Sequence, residues 1–239
     1  MYRLAARYPC PLELGRPSFR IVCDRADYGL QCLSAKARNQ TRRGLENCTV
    51  GRVVFADLES AGALRLNRET LQRQGRRIAR FHDAYWRAYY AAAEAAPAME
   101  AWGAFAGRDL AAYLIACRIE DCLNILVVRS HCEHLKAYPN NALVYTLTRQ
   151  ALARPETKQV SFGLESVQAD LDALDHFKEG MGFVKRPIGQ RIELHRFARP
   201  LAQGLLLRRL GRFAEARAEH ESFRKLAGML RWYHEQPRV

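Results

Sequence analysis

Residues 159–183 read QVSFGLESVQADLDALDHFKEGMGF, and this stretch decides the fold class. Its first five residues place Val160 and Phe162 between polar neighbours, which predicts a short strand over 159–163. The apolar spacing that follows predicts a helix from about residue 168 to residue 179, ending at Gly180. A further strand is predicted over 191–195, so this part of the chain alternates strand, helix and strand.

The segment upstream supplies the other half of a strand, helix and strand unit. A strand is predicted over residues 122–129 and a helix over 139–152, with Pro139 at an early position and asparagine, at 140 or 141, as the cap. Such a crossover is right-handed and should place the strands at 122–129 and 159–163 side by side.

The chain before residue 122 is predicted to hold strands and helices in a mixed order. Because turn residues at 107–109 separate apolar runs, we expect an antiparallel meander that ends at residue 129. Further strands are predicted over 19–23, 49–55, 102–106 and 110–118, and helices over 34–45 and, as one long helix or two, 67–96. This order favours an α/β sandwich with a mixed, mainly antiparallel sheet flanked by helices, not a doubly wound parallel sheet.

The chain is expected to form one domain with an extension. No repeat or low-complexity linker interrupts residues 1–200, and 239 residues are enough to bury a sizeable core. After Pro200 the sequence is amphipathic and rich in arginine, which predicts a C-terminal helical tail over residues 201–239, packed on the domain.

Composition is typical of a globular protein. Hydrophobic residues make up 49% and charged residues 26%, which argues against disorder. No run approaches the roughly 18 apolar residues of a spanning helix, and residues 1–15 lack the apolar core of a signal peptide. We therefore expect a cytoplasmic protein without a membrane span. The seven cysteines include no CxxC pair, which predicts reduced thiols.

The formal net charge of +13 is unusual for a chain of this composition. Such a charge attracts phosphate-rich partners over long distances: nucleic acid, nucleotide cofactors or an anionic membrane face. The charge does not choose among them. Arginine supplies most of it, which is equally consistent with a bias in genomic base composition.

Several segments together indicate a family. A strand ending in Phe162-Gly163 is followed by a helix with Phe177-Lys178 and by Gly182-Phe183. Three further segments are LSAKARNQTRRG at 33–44, TLQRQGR at 70–76 and YPNNAL at 138–143. With these features the chain, over about residues 20–196, resembles the GNAT superfamily of acyltransferases, nearest to its FemAB-like branch. The resemblance implies a GNAT-like fold and acyltransferase activity.

The resemblance also bears on the acyl donor. GNAT enzymes that use acetyl-CoA usually carry a glycine-rich loop at the helix after the fourth strand, where backbone N–H groups hold the pyrophosphate. Here that place, residues 129–141, reads RSHCEHLKAYPNN and has no glycine. FemAB-like proteins also lack the loop, and they move aminoacyl groups from charged tRNA, or other acyl groups, to amines. Acyl-CoA and aminoacyl-tRNA both stay open as donors, and no covalent cofactor is expected.

Lys178 is the first candidate for a catalytic role. The apolar residues of its helix, Leu171, Leu174 and Phe177, are predicted to face the core, so Lys178 lies at a buried boundary. The resemblance implies that its ammonium stabilises the oxyanion formed when an acyl carbonyl is attacked. The alternative is a solvated lysine whose stem covers apolar surface.

Glu165 and Ser166 follow the strand that ends at Phe162-Gly163, where side chains of such sheets reach a central cleft. The Glu165 carboxylate is the candidate base for the proton that an ammonium acceptor loses, and Tyr145 is the alternative general acid. Phe162 and Ser166 are candidates for substrate contacts. A loop or capping role for Glu165 stays open, and Ser166 lacks the GxSxG context of a nucleophile.

Four residues are candidates for binding the phosphates of the donor. The helix start at Asn140 and Asn141 presents free N–H groups, and Arg129 and Lys136 lie nearby in the sequence. An ordinary capped helix is the alternative.

Two further clusters complete the candidates. Arg38 and Arg42 are four residues apart and share a helix face, which either contacts a phosphate-bearing substrate or is a solvated surface. His131, Cys132 and His134 lie within four residues of one another. Neither HExxH nor a paired CxxC accompanies them, so no metal site is predicted.

These observations predict an N-acyltransferase, in the simplest case an N-acetyltransferase. The donor and the amine acceptor are expected to meet where the sheet splays between the strands at 122–129 and 159–163. Transfer is expected to be direct, without a covalent enzyme intermediate. The alternative is a basic RNA-binding protein with a degenerate GNAT fold and no chemistry.

Overall fold

The computed structural model describes residues 5–73, 82–167, 172–195, 209, 211–213, 216 and 221–237. The strands are β1 (Ala5–Cys10), β2 (Arg16–Cys23), β3 (Thr49–Val53), β4 (Met99–Ala106), β5 (Asp109–Ile119), β6 (Cys122–Ser130), β7 (Gln159–Leu164) and β8 (Val184–Leu194). The helices are α1 (Ala35–Asn47), α2 (Phe55–Ser60), α3 (Ala63–Arg73), α4 (Asp83–Glu94), α5 (Pro139–Leu152), α6 (Asp172–Gly180) and α7 (Glu221–Glu235).

The chain divides into two compact units. The larger unit holds residues 21–163 and 173–184, and the smaller unit holds the described parts of 1–20, 164–172 and 185–239. The predicted boundary at residue 200 falls outside the described residues.

The larger unit is built on a mixed sheet. Strands β3, β4, β5 and β6 form an antiparallel meander, and β6 pairs in parallel with β7. The meander follows from the turn residues between its strands, and the parallel pair follows from the α5 crossover. The predicted fold class, a mixed and mainly antiparallel sheet flanked by helices, is confirmed.

Helices cover this sheet through two groups of contacts. Helices α2, α3 and α4 pack on it through an apolar cluster that includes Leu66, Trp86 and Ile115, and α5 packs on β4, β5 and β6 while α1 packs on α5. Within the first group, the Asn67 amide donates to the Tyr90 hydroxyl at 2.8 Å and accepts from the Tyr113 hydroxyl. This buried network fixes α3 and α4 to β5.

The start of α5 differs from the prediction. The helix begins at Pro139, and Tyr138 occupies the N-cap position in the left-handed region with φ 55°. Asn140 and Asn141 are therefore first-turn residues, and neither is the cap. Proline fits the first helical position because its missing N–H has no partner there. Helix α1 is capped by Ser34, whose hydroxyl accepts from the Ala37 N–H.

The smaller unit joins the two ends of the described chain. Strand β1 pairs antiparallel with β8, from Ala5 opposite Leu194 to Cys10 opposite Gly189. The Gln236 amide, just after α7, exchanges two hydrogen bonds with the Ile192 backbone, at 2.8 and 3.0 Å. Strand β1 was not predicted, and β8 begins earlier than the predicted 191. Among the described residues, no helix has the length and apolar character needed to cross a membrane.

Gly182 provides a first test of this fold. Its φ is +84°, and a Cβ there would lie 3.0 Å from the Cys32 carbonyl oxygen and 3.3 Å from the Tyr28 ring. Gly182→Ala is therefore expected to lower the free energy of unfolding by about 2 kcal/mol, from backbone strain and crowding together. Gly62, with φ +92° and nothing within 4 Å, is the matched control, and its alanine variant should lose only about 1 kcal/mol. Urea denaturation measures both, and equal losses would contradict the crowding argument.

Candidate functional site

The sheet of the larger unit opens between β6 and β7. Their parallel pairing covers three positions, Cys122 with Gln159, Leu123 with Val160 and Asn124 with Ser161. Both strands continue beyond that point, β6 to Ser130 and β7 to Leu164, without pairing with each other. The opening lies where the sequence analysis expected the sheet to splay.

Lys178 lies close to Phe162 of β7. The Lys178 side chain is buried, its ammonium nitrogen is 3.0 Å from Asp175 Oδ1, and it stands 5.8 Å from the centroid of the Phe162 ring. An ammonium has three donors, and the Asp175 carboxylate takes one of them. The structure thus brings together two of the predicted site residues and keeps a cation in a mostly dry environment.

The packing of α6 corrects one expectation about this helix. Leu174 is 47% exposed and does not face the core, while Leu171 falls outside the described residues. The buried position on this part of α6 is that of Lys178 itself. The Lys178 side chain is therefore buried and not solvated, with its charge beside Asp175.

The turn after α6 connects two more predicted residues. The Tyr28 hydroxyl donates to the Met181 carbonyl at 2.8 Å, and the Asn141 amide donates to Met181 Sδ at 3.5 Å. The buried Tyr145 ring lies 5.8 Å from the Tyr28 ring, centroid to centroid. Burial raises the pKa of Tyr28 far above its ordinary value, so this phenol stays neutral. Asn141 and Tyr145 therefore belong to one packed cluster around Met181, three residues after Lys178.

Asn140, in the first turn of α5, contacts the last residue of β6. Its Nδ2 donates to the Ser130 hydroxyl at 3.2 Å, and the same hydroxyl accepts from Arg73 at 3.2 Å. Asn140 Oδ1 is buried and has no hydrogen-bond partner among the described residues. Leaving a buried acceptor unpaired is costly, so this oxygen is available to a ligand that donates a hydrogen bond.

The other predicted phosphate-binding residues are not gathered at the start of α5. Arg129 packs over Trp86 at 5.5 Å and donates to the Val128 carbonyl, so its guanidinium contacts an aromatic side chain of α4. Lys136 is exposed in the short turn Leu135–Ala137. The N–H of Asn141 already donates to Tyr138 at 3.1 Å, which leaves this helix start fewer free donors than predicted.

The predicted basic face of α1 is divided in the structure. Arg38 donates to the carbonyls of Leu30 and Leu33 at 3.0 and 3.1 Å, so it holds the turn before α1 in place. Of the two arginines, only Arg42 is exposed, while Arg38 is half-buried.

Glu165 and Ser166 belong to the smaller unit. The Glu165 carboxylate accepts from the Ser18 hydroxyl at 2.7 Å and from Arg16 at 3.5 Å. Its backbone carbonyl accepts from Arg7 at 2.9 Å. These contacts orient the carboxylate. They are consistent with a structural role in the loop, the alternative to catalysis for Glu165.

Some residues of the site were missed by sequence reasoning. Thr70 and Ser130 bond each other twice, through Thr70 Oγ1 with the Ser130 carbonyl and N–H, both at 3.2 Å. Thr70 and Arg73 lie within the segment 70–76 that carried the family resemblance. That resemblance was the available signal, because no local pattern links α3 to the end of β6.

The sequence matches no protein-family model and no curated protein. The structure is similar to FemX, with a TM-score of 0.61 and 14% identity over 77% of this chain and 63% of FemX. It is also similar to the C-terminal domain assigned to a lysylphosphatidylglycerol synthetase of Agrobacterium fabrum, with a TM-score of 0.52 and 12% identity over 82% of this chain and 63% of that one. A conserved protein of unknown function from Bacteroides thetaiotaomicron gives a TM-score of 0.53 and 10% identity, over 80% and 62% of the two chains.

These similarities establish the fold. The chain has a GNAT-like fold of the FemAB type, as the sequence predicted, and it spans less than two thirds of the length of each of the three proteins.

Proposed function

We propose that this chain is an acyltransferase that moves an acyl or aminoacyl group directly to an amine. The observation that carries the proposal is the opening between β6 and β7 in a FemX-like fold, with the buried cation of Lys178 beside β7. The donor is either a thioester, acyl-CoA, or an aminoacyl-tRNA. A net charge of +13 favours either donor, since both carry phosphates.

The proposed reaction is a single displacement at the acyl carbon. The acceptor ammonium first loses one proton to a base, and the amine then attacks the carbonyl carbon to form the C–N bond. Lys178 stabilises the negative charge that develops on the carbonyl oxygen. The C–S bond of the thioester, or the C–O bond of the tRNA ester, then breaks, and the leaving group takes the second proton of the nitrogen.

The roles of the remaining residues follow from their contacts. Phe162 presents its ring to the Lys178 ammonium, 5.8 Å from the ring centroid, and Tyr145 and Asn141 support the turn after α6. Asn140 Oδ1 accepts a hydrogen bond from an N–H or O–H group of the donor. Glu165, the base that the sequence suggested, lies in the smaller unit, where Ser18 and Arg16 orient its carboxylate.

A thermal-shift titration tests the proposal and separates the donors. A ligand at 100 times its Kd stabilises the native state by about 2.7 kcal/mol, which corresponds to a rise in Tm of about 5–10 °C for a chain of this length. We expect a saturable rise of Tm with acetyl-CoA or a longer acyl-CoA, or else with a non-hydrolysable aminoacyl-tRNA analogue. Uncharged tRNA is the control for the second donor.

Two other outcomes would argue against catalysis. If neither donor class raises Tm while RNA binding falls steeply with salt, the non-catalytic RNA-binding alternative is favoured. If no donor and no RNA binds, the proposed function is wrong.

A further inference from the structure

A cluster of metal-binding side chain types lies where β6 ends. Glu69 of α3 meets His131 and Cys132, the two residues that follow β6. One ligand atom from each of the three lies within 4.8 Å of the other two. Carboxylate oxygen, imidazole nitrogen and thiolate sulfur are the three protein ligand types that zinc accepts.

The spacing suits a zinc ion. His131 Nδ1 lies 3.7 Å from Glu69 Oε2, and two nitrogen or oxygen ligands on a tetrahedral zinc are about 3.4 Å apart, given bond lengths near 2.0–2.1 Å. The Cys132 N–H donates to Glu69 Oε2 at 3.3 Å, which holds the cysteine against the carboxylate. Cys132 is exposed, so its side chain can rotate to close the third bond. We propose that Glu69, His131 and Cys132 bind a zinc ion.

The residues around the cluster hold it in place. Helix α3 is bound to the end of β6 by the two hydrogen bonds between Thr70 and Ser130. The second carboxylate oxygen of Glu69 accepts from Arg65 at 2.6 Å, as outer partners of metal-bound carboxylates do. The His131 side chain is almost fully buried, and Glu133 donates its N–H to His131 Nδ1 at 3.2 Å. A zinc ion bound at Nδ1 replaces that hydrogen bond.

Three protein ligands leave one coordination position. His131 also lines a cavity of about 340 Å³ together with Arg65, Arg108, Asp109 and His134. The His134 ring is 5.1 Å from the His131 ring, centroid to centroid, and its Nε2 lies 3.6 Å from Asp109. A water molecule from the cavity or His134 completes the tetrahedron, and a His134→Gln variant distinguishes the two.

Zinc binding is measured on the full chain after treatment with a chelator. Titration with Zn²⁺ against a chromogenic chelator is expected to give one zinc per chain and a submicromolar Kd. Cys132→Ser is expected to weaken binding at least about 100-fold, since loss of an outer partner alone costs 10–100-fold. Cys117→Ser, at a partly buried thiol in β5, is the matched control and should bind as tightly as the parent chain.

Protection from alkylation provides a second readout that needs no variant. Iodoacetamide should label exposed Cys132 first, and saturating zinc should slow that labelling at least about tenfold. Partly buried Cys10 and Cys32 in the same sample should react at unchanged rates. Burial raises the pKa of the Cys23 thiol to about 11, so Cys23 should be alkylated more slowly than the other three cysteines.

Two results would overturn the zinc site. One is a zinc affinity that Cys132→Ser and Glu69→Gln leave unchanged, which would place the metal elsewhere. The other is labelling of Cys132 at the same rate with and without zinc. Neither readout depends on acyl transfer, so the zinc site can be confirmed or rejected independently of the proposed function.

Discussion

Arg154→Ala is expected to lower the free energy of unfolding by about 3 kcal/mol, the cost of stranding a buried charge. The Glu100 carboxylate is 5% exposed, and Arg154 binds both of its oxygens, at 3.0 and 3.1 Å. Trp102 donates at 3.3 Å, and Arg52, itself exposed, lies at 3.3 Å. Without Arg154 the carboxylate keeps, among the residues that the structure describes, the Trp102 N–H and the exposed Arg52, which compensate its charge only in part. Urea denaturation followed by circular dichroism measures the change.

An exposed ion pair in the same unit provides the control. Arg87 and Glu59 are 2.5 Å apart, with side chains 54% and 43% exposed, and such pairs are worth less than about 1 kcal/mol. Arg87→Ala should therefore cost far less than Arg154→Ala. Adding Glu100→Gln to Arg154→Ala should recover part of the loss, because it removes the stranded charge. Equal losses for the two arginine variants would contradict the assignment of Glu100 as a buried, paired carboxylate.

The parts of the fold that were predicted are those with local signals. The meander follows from apolar runs separated by the turn at 107–109, and the parallel pair of β6 and β7 follows from the helix between them. Strand β1, AARYPC, has no such signal: its alternation is weak and it contains Pro9. It is held by pairing with β8, a partner about 180 residues away in the chain, which no local pattern can reveal.

The same limit applies to the candidate site. Lys178 and Phe162 were linked by the sequence because both belong to one strand and helix unit. Glu69 was not linked to His131 and Cys132, because the contact depends on how α3 packs on the end of β6. The expectation that no metal binds there rested on missing motifs, and motifs detect only ligands that are close in sequence.

Asn140 illustrates a further gap. Its type and position favoured a cap, yet the neighbouring proline takes the first helical position and shifts the cap to Tyr138. Packing of Asn140 against Ser130 leaves its Oδ1 without a hydrogen-bond partner in the described part of the chain. Propensity identifies the helix, and only the tertiary structure shows which side-chain atoms stay available to a ligand.

Lys178→Ala is expected to lower kcat by about 10²–10³-fold, the usual cost of losing one donor to an oxyanion. The expectation rests on the proposed function and on the position of the buried ammonium beside Phe162 of β7. KM for the donor should change little, since the charge acts on the transition state and not on the bound thioester or ester. Steady-state turnover with the donor that raises Tm measures both constants.

Three further variants separate catalysis from a purely structural ion pair. Lys178→Arg keeps a cation and should recover part of the lost turnover, whereas Lys178→Met keeps only the apolar stem and should not. Asp175→Asn breaks the 3.0 Å pair with Lys178 while leaving its cation in place. If that pair matters only for folding, Asp175→Asn and Lys178→Met will lose turnover and Tm together. If Lys178→Met loses kcat selectively, at a Tm close to that of Asp175→Asn, the oxyanion role belongs to Lys178. Full turnover in Lys178→Ala would instead remove Lys178 from the mechanism.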